Sequence, residues 1–497
     1  MDQAMPIATD TSIFLSRRRV LTGAAGGIAG LSLGDWSLVA EQSPHLDDLV
    51  VEKIRAGYPA PSGPLSLLLP HGSGANLSPV VTAFSQRTGI ELRLVEVSVD
   101  EVVSEMILDN VLGRKIFDVA LPATFALPDL AAAGMLLSLD RYNAHHEPPG
   151  FRDGNLYHVG DTFDGTAYGF QTDGDAYMMF YHRDMLLEGD TQSRYADRYG
   201  KPLQIPDTWE ELDRQMAFFH APDDGVFGGL LFRVPQYLAW EWWVRLHAKG
   251  VWPLSPDLTP QIDGEAGVRA LEEMIRATEH LVPAVDTLGL FQNWARYEKG
   301  DVFANIGWGG TQKYLNRPKS NMRGRMLFAP TPGGAATDGL QATPYFNWGW
   351  SYVVSATSQM PELAYLFSLF ASSPRMSTLA VRQPDGFFDP YRVEHYQDTG
   401  VVDAYSEPFL KVHKQVMSAA IPDFYLKGQS EYFSTLASGL DDALHGGVDP
   451  EKALRRVAQS WDLITSRAGR HQQIERWARL RGKYPSHIRA GLRDLAR

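Results

Sequence analysis

Between residues 65 and 133 the chain repeats one unit: a short apolar run, a turn, then an amphipathic stretch. Leu65–Leu69 reads as a buried strand, and Ser78–Arg87 as a helix with Val80, Val81 and Phe84 on one face. Glu91–Val97 alternates as a strand, Asp100–Leu112 repeats apolar residues at helical spacing, Ile116–Leu121 is a third strand and Leu127–Ala133 a third helix. Strands joined through helices must cross over and run parallel. The pattern therefore restricts the fold class to α/β with a doubly wound sheet, whose ligands bind beyond the carboxyl ends of the strands.

Downstream, Ala176–Tyr181 inside Gly165–Leu187 reads as a long central strand. Pro206 marks a turn, and Thr208 caps the helix Trp209–His220, with Glu211 completing a capping box. Residues 265–281, 361–373, 405–418, 430–445 and 450–468 read as helices, the last opened by Asp449-Pro450-Glu451. Residues 44–64 read as a short helix and a Pro/Gly spacer, and no internal repeat is present. At roughly 150 residues per domain, 497 residues allow two or three domains.

Charge and cysteine usage exclude several functions. The formal charge is −13, which argues against a nucleic-acid binder, because phosphate contacts need a basic surface. That total hides an asymmetry: residues 467–497 hold nine Lys/Arg against two acids, a net +7, so residues 41–466 carry −20. With no cysteine, disulfides, thiolate metal sites, a cysteine nucleophile and a lipid-anchored cysteine are all excluded. Ser16-Arg17-Arg18-Arg19-Val20-Leu21, ahead of the weakly apolar Thr22–Gly34, resembles a twin-arginine export signal, with cleavage expected after Ala40. The alternative is a Gly-rich tail with a chance Arg cluster. The apolar run is too short to span a bilayer, and no other segment approaches the roughly 18 apolar residues of a membrane helix.

A helix ending in FSQRTGIELRLVEV, the strand FDVAL, AAAGMLLSLD, the crossing AYGFQTDGDAYMMFYHRDML, the cap PDTWEEL, and the pair KGDVFANIGWGGT and WGWSYVVSATSQMPELAYLFSLFASSP follow one another in order. This succession resembles the extracellular solute-binding proteins of ABC transporters, in the sugar-binding family that includes maltose-binding protein. The resemblance covers roughly residues 64–467. It implies a periplasmic-binding-protein-like fold: two α/β lobes joined by a multi-strand hinge, with the ligand in the cleft between them. Lobe I would be 62–168 with 345–378, and lobe II 169–344 with 379–466, after a signal peptide (1–40) and an N-terminal extension (41–61). The loop 188–206 and the basic tail 467–497 lie beyond a minimal member.

Candidate ligand-binding residues follow. His71-Gly72-Ser73-Gly74-Ala75-Asn76 opens a helix, where N–H groups favour oxygen acceptors. It lacks the ending of a P-loop, and the resemblance places Ser73, Gly74 and Asn76 at the cleft border; a plain turn is the alternative. Thr124 follows FDVAL at an equivalent strand end, where simple strand termination is the alternative. At the crossing, the resemblance aligns Asp175 with a sugar-binding carboxylate, with Asp173 beside it. A carboxylate accepts two hydroxyl donors. A metal reading of that acidic pair lacks a visible third ligand, and a glycosidase reading lacks a defined carboxylate separation. Trp rings stack on the C–H faces of sugars. Trp308 and Gly309 in GWGG, and Trp348 and Trp350 in WGW, are the candidates, with Trp243 chosen over Trp242 from LAWEWWVRLHAKG. Arg392 in GFFDPYR offers either a fork of donors to the ligand or a salt bridge within the acidic body. Tyr425 and Gln429 are lesser candidates. His145-His146-Glu147 reads as a solvated loop and Asp441-Asp442 as a solvated helix face. In the tail, apolar residues at helical spacing make either a membrane- or transporter-binding element or a stripe packed on the body.

The sequence thus points to a periplasmic, unanchored, monomeric binding protein that delivers a sugar, oligosaccharide or polyol to ABC permease subunits, with no cofactor and no metal. An exported carbohydrate-active or cofactor-dependent enzyme is the alternative, and a ligand-sensing partner of a receptor is a third reading.

Overall fold

The computed structural model describes residues 45–58, 63–334 and 339–495; the export signal and its cleavage site lie outside the described residues. Twelve strands form among them: β1 Leu65–Pro70, β2 Leu92–Val97, β3 Val119–Ala120, β4 Thr162–Phe163, β5 Thr166–Ala167, β6 Gly169–Gln171, β7 Ala176–His182, β8 Phe227–Leu230, β9 Val302–Gly307, β10 Met326–Pro330, β11 Tyr345–Phe346 and β12 Ser351–Val354. One five-stranded sheet has the order β2-β1-β3-β12-β6, and a second is built as β10-β7-β9-β8 with β11 also on β7.

In the first sheet β1 runs parallel to β2, from Leu65 opposite Leu92 to Pro70 opposite Val97, and parallel to β3. These are the strands of the expected alternation. The third strand is shorter than its apolar run, but Asp118 N–H to Ser66 O and Leu121 N–H to Leu68 O, both 2.9 Å, continue its pairing. The distant strands β12 and β6 then add antiparallel, so the sheet is mixed. In the second sheet every residue of β7 is buried, and it pairs antiparallel with β9, β10 and β11. This explains its unbroken apolar and aromatic sequence, because both of its faces are covered. The chain passes between the sheets at 172–175 and again at 347–350. Because β6 belongs to the first sheet, the first passage starts at residue 172, four residues after position 168.

Helices pack on both sheets, and two differ from the sequence reading. The stretch 188–206 contains a helix, Gly189–Tyr199, capped by Glu188, whose carboxylate accepts from Asp190 and Thr191 N–H. Its polar sequence buries only Thr191 and Tyr195, so it carries little apolar periodicity. His145 and His146 end a helix, Asp140–His146, instead of lying in a loop. There His146 bridges Glu362 at 2.8 Å and Lys53 at 2.7 Å. Only half of the capping box forms at Trp209–Phe219: Thr208 Oγ1 accepts from Glu211 N–H at 3.2 Å. The Glu211 carboxylate turns instead to Tyr195, Lys201 and Arg214.

Helix Pro235–Ala248 is buried around nearly its whole circumference. Its charged residues are accommodated by pairing, since an unpartnered buried charge is costly. Glu241 lies between Arg233 at 2.6 Å and Arg245 at 2.9 Å, and Arg245 also grips Asp213 at 2.8 Å.

The basic tail folds into helices Arg470–Lys483 and Ser486–Gly491. Its apolar stripe is buried in the body: Trp477 packs edge-on to Trp252 at 5.7 Å and donates from Nε1 to Ser255 O at 3.1 Å. Arg476 and Arg479 close on Asp164 at 2.7 and 2.9 Å. Trp477→Ala should therefore cost about 3–5 kcal/mol in denaturant unfolding. Arg479→Ala, in a largely exposed pair, should cost under about 1 kcal/mol. Equal small losses for both would show that the tail adds no packing energy.

Candidate functional site

The two crossing segments are tied to each other and to the end of β3. Thr172 donates from N and Oγ1 to Trp350 O, both at 2.9 Å. Gly349 N–H donates to Asp175 Oδ2 at 3.1 Å. Thr124 N–H reaches Trp348 O at 3.1 Å and Gly349 O at 3.0 Å, and its hydroxyl donates to Trp348 O as well. These bonds hold an uncommon backbone: Trp348 has φ 70° and Gly349 φ 52°. A left-handed non-glycine residue costs of order 1–3 kcal/mol and persists only where its surroundings impose it. Glycine is required next to it, because a Cβ on Gly349 would lie 2.3 Å from the Phe346 ring.

This backbone places Trp348 at the centre of an aromatic cluster. Its ring lies 5.1 Å from Trp240, 5.3 Å from Trp308, 5.6 Å from Tyr237 and 6.2 Å from Trp350. Trp308 is held by its Nε1 donating to Asn347 Oδ1 at 2.9 Å, whereas the buried Nε1 atoms of Trp348 and Trp294 have no partner. Trp348 lines two cavities. One, of about 250 Å³, has Phe125, Tyr237, Trp240, Asp423 and Phe433 in its wall. The other, of about 30 Å³, is bounded by Asp175, Trp294, Trp308, Trp350 and Phe387. A hollow of about 1110 Å³ is a separate, mainly basic depression lined by Lys299, Lys313, Arg317, Lys319, Arg323 and Arg382. It holds none of the clustered aromatics.

Behind the small cavity, oxygens of Asp173, Asp175 and Asp389 lie within 4.8 Å of one another. Asp389 is the third carboxylate that the sequence did not reveal, brought in by the 386–392 return. Its approach depends on Gly309, where a Cβ would sit 2.4 Å from the Asp389 carboxyl carbon. Asp389 accepts from Gly310 N–H at 3.1 Å and from Tyr405 Oη at 2.7 Å, and Asp173 accepts from Gly174 N–H at 2.7 Å. The spacing is one that a hard cation could bridge. Burial, then the neighbouring carboxylates, push Asp173 and Asp175 well above the usual carboxylate range. Burial raises Asp389 to about 6 against the opposing pull of Lys313. Lys313 is itself lowered to about 8 by burial.

The structure gathers Thr124, Asp173, Asp175, Trp308, Gly309, Trp348 and Trp350 into this one region. Other candidates are engaged in holding the fold. Asn76 donates to Ala380 O at 2.8 Å and accepts from Phe387 and Phe388 N–H at 2.9 and 3.3 Å, fastening the 386–388 turn. Gly74 makes room for Glu96, which a Cβ would meet at 1.9 Å, and Ser73 is buried beside it with its hydroxyl unpartnered. Arg392 is buried and lines neither cavity, donating to Asn155 Oδ1 at 2.9 Å and Phe151 O at 3.1 Å and pairing with Glu394 at 3.5 Å. Its structural reading fits this geometry. Trp243 points away from the cavities, against Phe424 at 5.5 Å and His247 at 4.9 Å. Trp240, three residues earlier, occupies the position chosen for it. The signal was Tyr237 and Trp240, spaced i, i+3 on one face of that helix. Tyr425 meets Thr124 Oγ1 at 3.0 Å, and Gln429 lines the larger cavity.

The buried carboxylates have a measurable consequence. A group whose folded pKa is raised stabilises the fold fully below its unfolded value and loses that contribution as pH rises through the folded value. The ligand-free protein should therefore lose stability from about pH 4 through about pH 6 and above, the window set by Asp389 and extended upward by Asp173 and Asp175. Thermal unfolding of Asp389→Asn across that range should show a flatter profile. A slope as steep as that of the unaltered protein would refute the assignment.

Residues 80–400 match the bacterial extracellular solute-binding protein family. Among solved structures, an ABC transporter solute-binding protein from Agrobacterium radiobacter K84 in complex with ribitol is 18% identical, with TM-score 0.70, covering 82% of this chain and 100% of that one. Maltose-bound MalE3 of T. maritima is 18% identical with TM-score 0.69, covering 81% and 100%. A solute-binding protein from Agrobacterium vitis S4 with bound D-mannitol is 17% identical with TM-score 0.67, covering 82% and 99%. A comparison with curated proteins gives no match. With more than half its length matched to that family and the two-sheet fold shared, the chain belongs to the bacterial extracellular solute-binding proteins.

Proposed function

We propose that this protein is the binding component of an ABC importer, capturing a sugar, oligosaccharide or polyol in the cleft between the two sheets and presenting it to permease subunits. The observation that carries this reading is the aromatic cavity system between the two sheets, walled by Trp240, Trp308, Trp348 and Trp350 with Asp175 at its base. Indole faces cover the C–H faces of a carbohydrate while a carboxylate accepts its hydroxyls. The ribitol-, maltose- and mannitol-bound relatives support the same ligand class.

The lobes are assigned close to 62–168 with 345–378 and 169–344 with 379–466, with β6 going to the first and β11 to the second, hinged at the crossings 172–175 and 347–350. Ligand contacts come from both, so the ligand stabilises the closed arrangement by differential contact. In this reading residues 1–40 direct twin-arginine export, and the mature protein is a monomer, free of lipid, in the periplasm. The ligand-contacting set is Thr124, Asp175, Trp240, Trp308, Trp348 and Trp350, with Asp173 and Gly309 behind it. Catalysis by flanking carboxylates has less support. Asp173 and Asp389 are fully buried behind Asp175, whereas an acid/base pair must flank the scissile bond.

Calorimetric titration with ribitol, D-mannitol and maltose tests the reading: saturable binding of at least one without turnover is expected. Product formed by the purified protein alone would overturn it. Tryptophan emission should shift on addition of the ligand that binds, because Trp348 lines both cavities. Asp175→Ala should weaken binding about 10- to 100-fold, the scale of a lost charge-assisted hydrogen bond. Unchanged affinity would remove Asp175 from the site.

A further inference from the structure

We propose that the ligand of this cleft carries a cationic amine on a hydroxylated skeleton, an amino polyol or amino sugar, with the ammonium seated at Asp175 in the smaller cavity. This rests on the binding-protein reading above and narrows its ligand class.

The charge of the cavity walls points this way. Asp100 and Asp423 line the larger cavity and Asp175 the smaller, and among the described residues no Lys or Arg lines either. Behind Asp175, Asp173 and Asp389 add two more carboxylates from the crossing and the 386–392 return. The remaining groups packed around them are Lys313, Tyr391, Tyr396, Tyr405 and His413. Burial keeps the tyrosines protonated and His413 neutral, its value lowered to about 4. Among the described residues Lys313 is the cation whose charge acts on Asp173 and Asp389, and its Nζ donates to the carbonyls of Val381 at 2.9 Å and Phe388 at 3.1 Å. Oδ2 of Asp173 is fully buried without a hydrogen-bond partner. Uncompensated buried carboxylates are costly. A neutral polyol supplies hydroxyl donors to them but no charge, whereas an ammonium supplies both.

Size and wall chemistry agree. The smaller cavity, about 30 Å³, exceeds the roughly 10–15 Å³ that one water needs, so it has room for an ammonium or hydroxyl group. Trp308 and Trp348 meet there nearly at right angles, 88° apart with centroids 5.3 Å apart, and indole faces attract cations within about 6 Å. The adjoining cavity of about 250 Å³, sharing Trp348, receives the rest of the skeleton.

The test is a matched pair, D-sorbitol and D-glucamine, which differ by one hydroxyl replaced by an amine, titrated by calorimetry alongside maltose and D-mannitol. Glucamine should bind at least tenfold more tightly than sorbitol at pH 7.5. The preference should shrink toward pH 5 as Asp389, raised to about 6 by burial, and Asp173 and Asp175, also raised by burial, take up protons. Binding at pH 7.5 should release protons, read as an enthalpy that varies with the buffer's ionisation heat. Asp175→Asn should abolish the preference. Sorbitol, mannitol or maltose binding as tightly as glucamine would overturn the amine assignment alone. Failure of all four to bind would overturn the carbohydrate reading with it. Tight binding of calcium chloride to the ligand-free protein, with no preference for glucamine, would assign the carboxylates to a metal ion instead.

Discussion

The hydrogen bond from the Gly349 N–H to the Asp175 carboxylate joins the two segments by which the chain passes between its sheets, beside the bonds from Thr172 to the Trp350 carbonyl. Its geometry sets conditions on everything near it. Gly349 must be left-handed for its N–H to point at Asp175, Trp348 follows it into the same region of backbone space, and the Trp348 ring is thereby thrust into the middle of the aromatic cluster. The Trp348 carbonyl, turned outward by the same twist, is held by Thr124. Backbone strain, a buried carboxylate and the placement of the central ring are thus one structural device. Sites that store strain in this way are pre-organised, because the surroundings have already fixed the conformation the ligand meets.

The second constraint is electrostatic. Removing a carboxylate from water is tolerated when donors replace the lost hydration, and Asp389 obtains them from Gly310 N–H and Tyr405. Asp173 obtains them on only one oxygen. Lys313 offsets part of the charge through space while its ammonium protons go to carbonyls. The cluster is therefore poised: its ionisation is resisted by burial and by mutual repulsion, and any group that brings positive charge into the cavity relieves both. Closing the cleft removes remaining water and strengthens that interaction.

Much of this was legible in the sequence because it is local. The β1-to-β3 alternation, the buried run of β7 and the Thr208 and Asp449 caps are set by residues within a few positions of one another. What was not legible depends on long-range closure. Asp389 joins Asp173 from more than two hundred residues away, and only a fold that packs the 386–392 return against the crossing brings them together. Which of the three tryptophans Trp240, Trp242 and Trp243 faces the cavity depended on the rotation of helix Pro235–Ala248. That helix is buried on all sides, so it has no polar face to announce its orientation. Asn76 and Arg392 have the chemistry of ligand donors, but the folded chain places backbone carbonyls and side-chain acceptors within their reach first. The helix Gly189–Tyr199 is the opposite case, a polar segment that folds on a side-chain cap and one buried tyrosine.

The tail shows how charge and packing decide between two uses of one amphipathic pattern. A helix that enters a membrane surface must offer its apolar stripe and its basic face together. Here Trp477, Leu480 and Ile488 are buried in the body. Several of the basic residues are already matched: Arg476 and Arg479 to Asp164, Arg470 to Asp462, and Arg481 to Asp494 while lying over the Trp252 ring. Presenting the stripe elsewhere would require stripping Trp477 from Trp252 and breaking these pairs together. The surface pairs contribute little singly, so the indole packing holds the tail and the charges fix its register. Asp164 sits on the β4–β5 hairpin, whose Phe163 is buried with the first sheet, whereas Trp252 follows helix Pro235–Ala248. The tail therefore ties that hairpin to the segment after the helix, through ion pairs at one end and indole packing at the other.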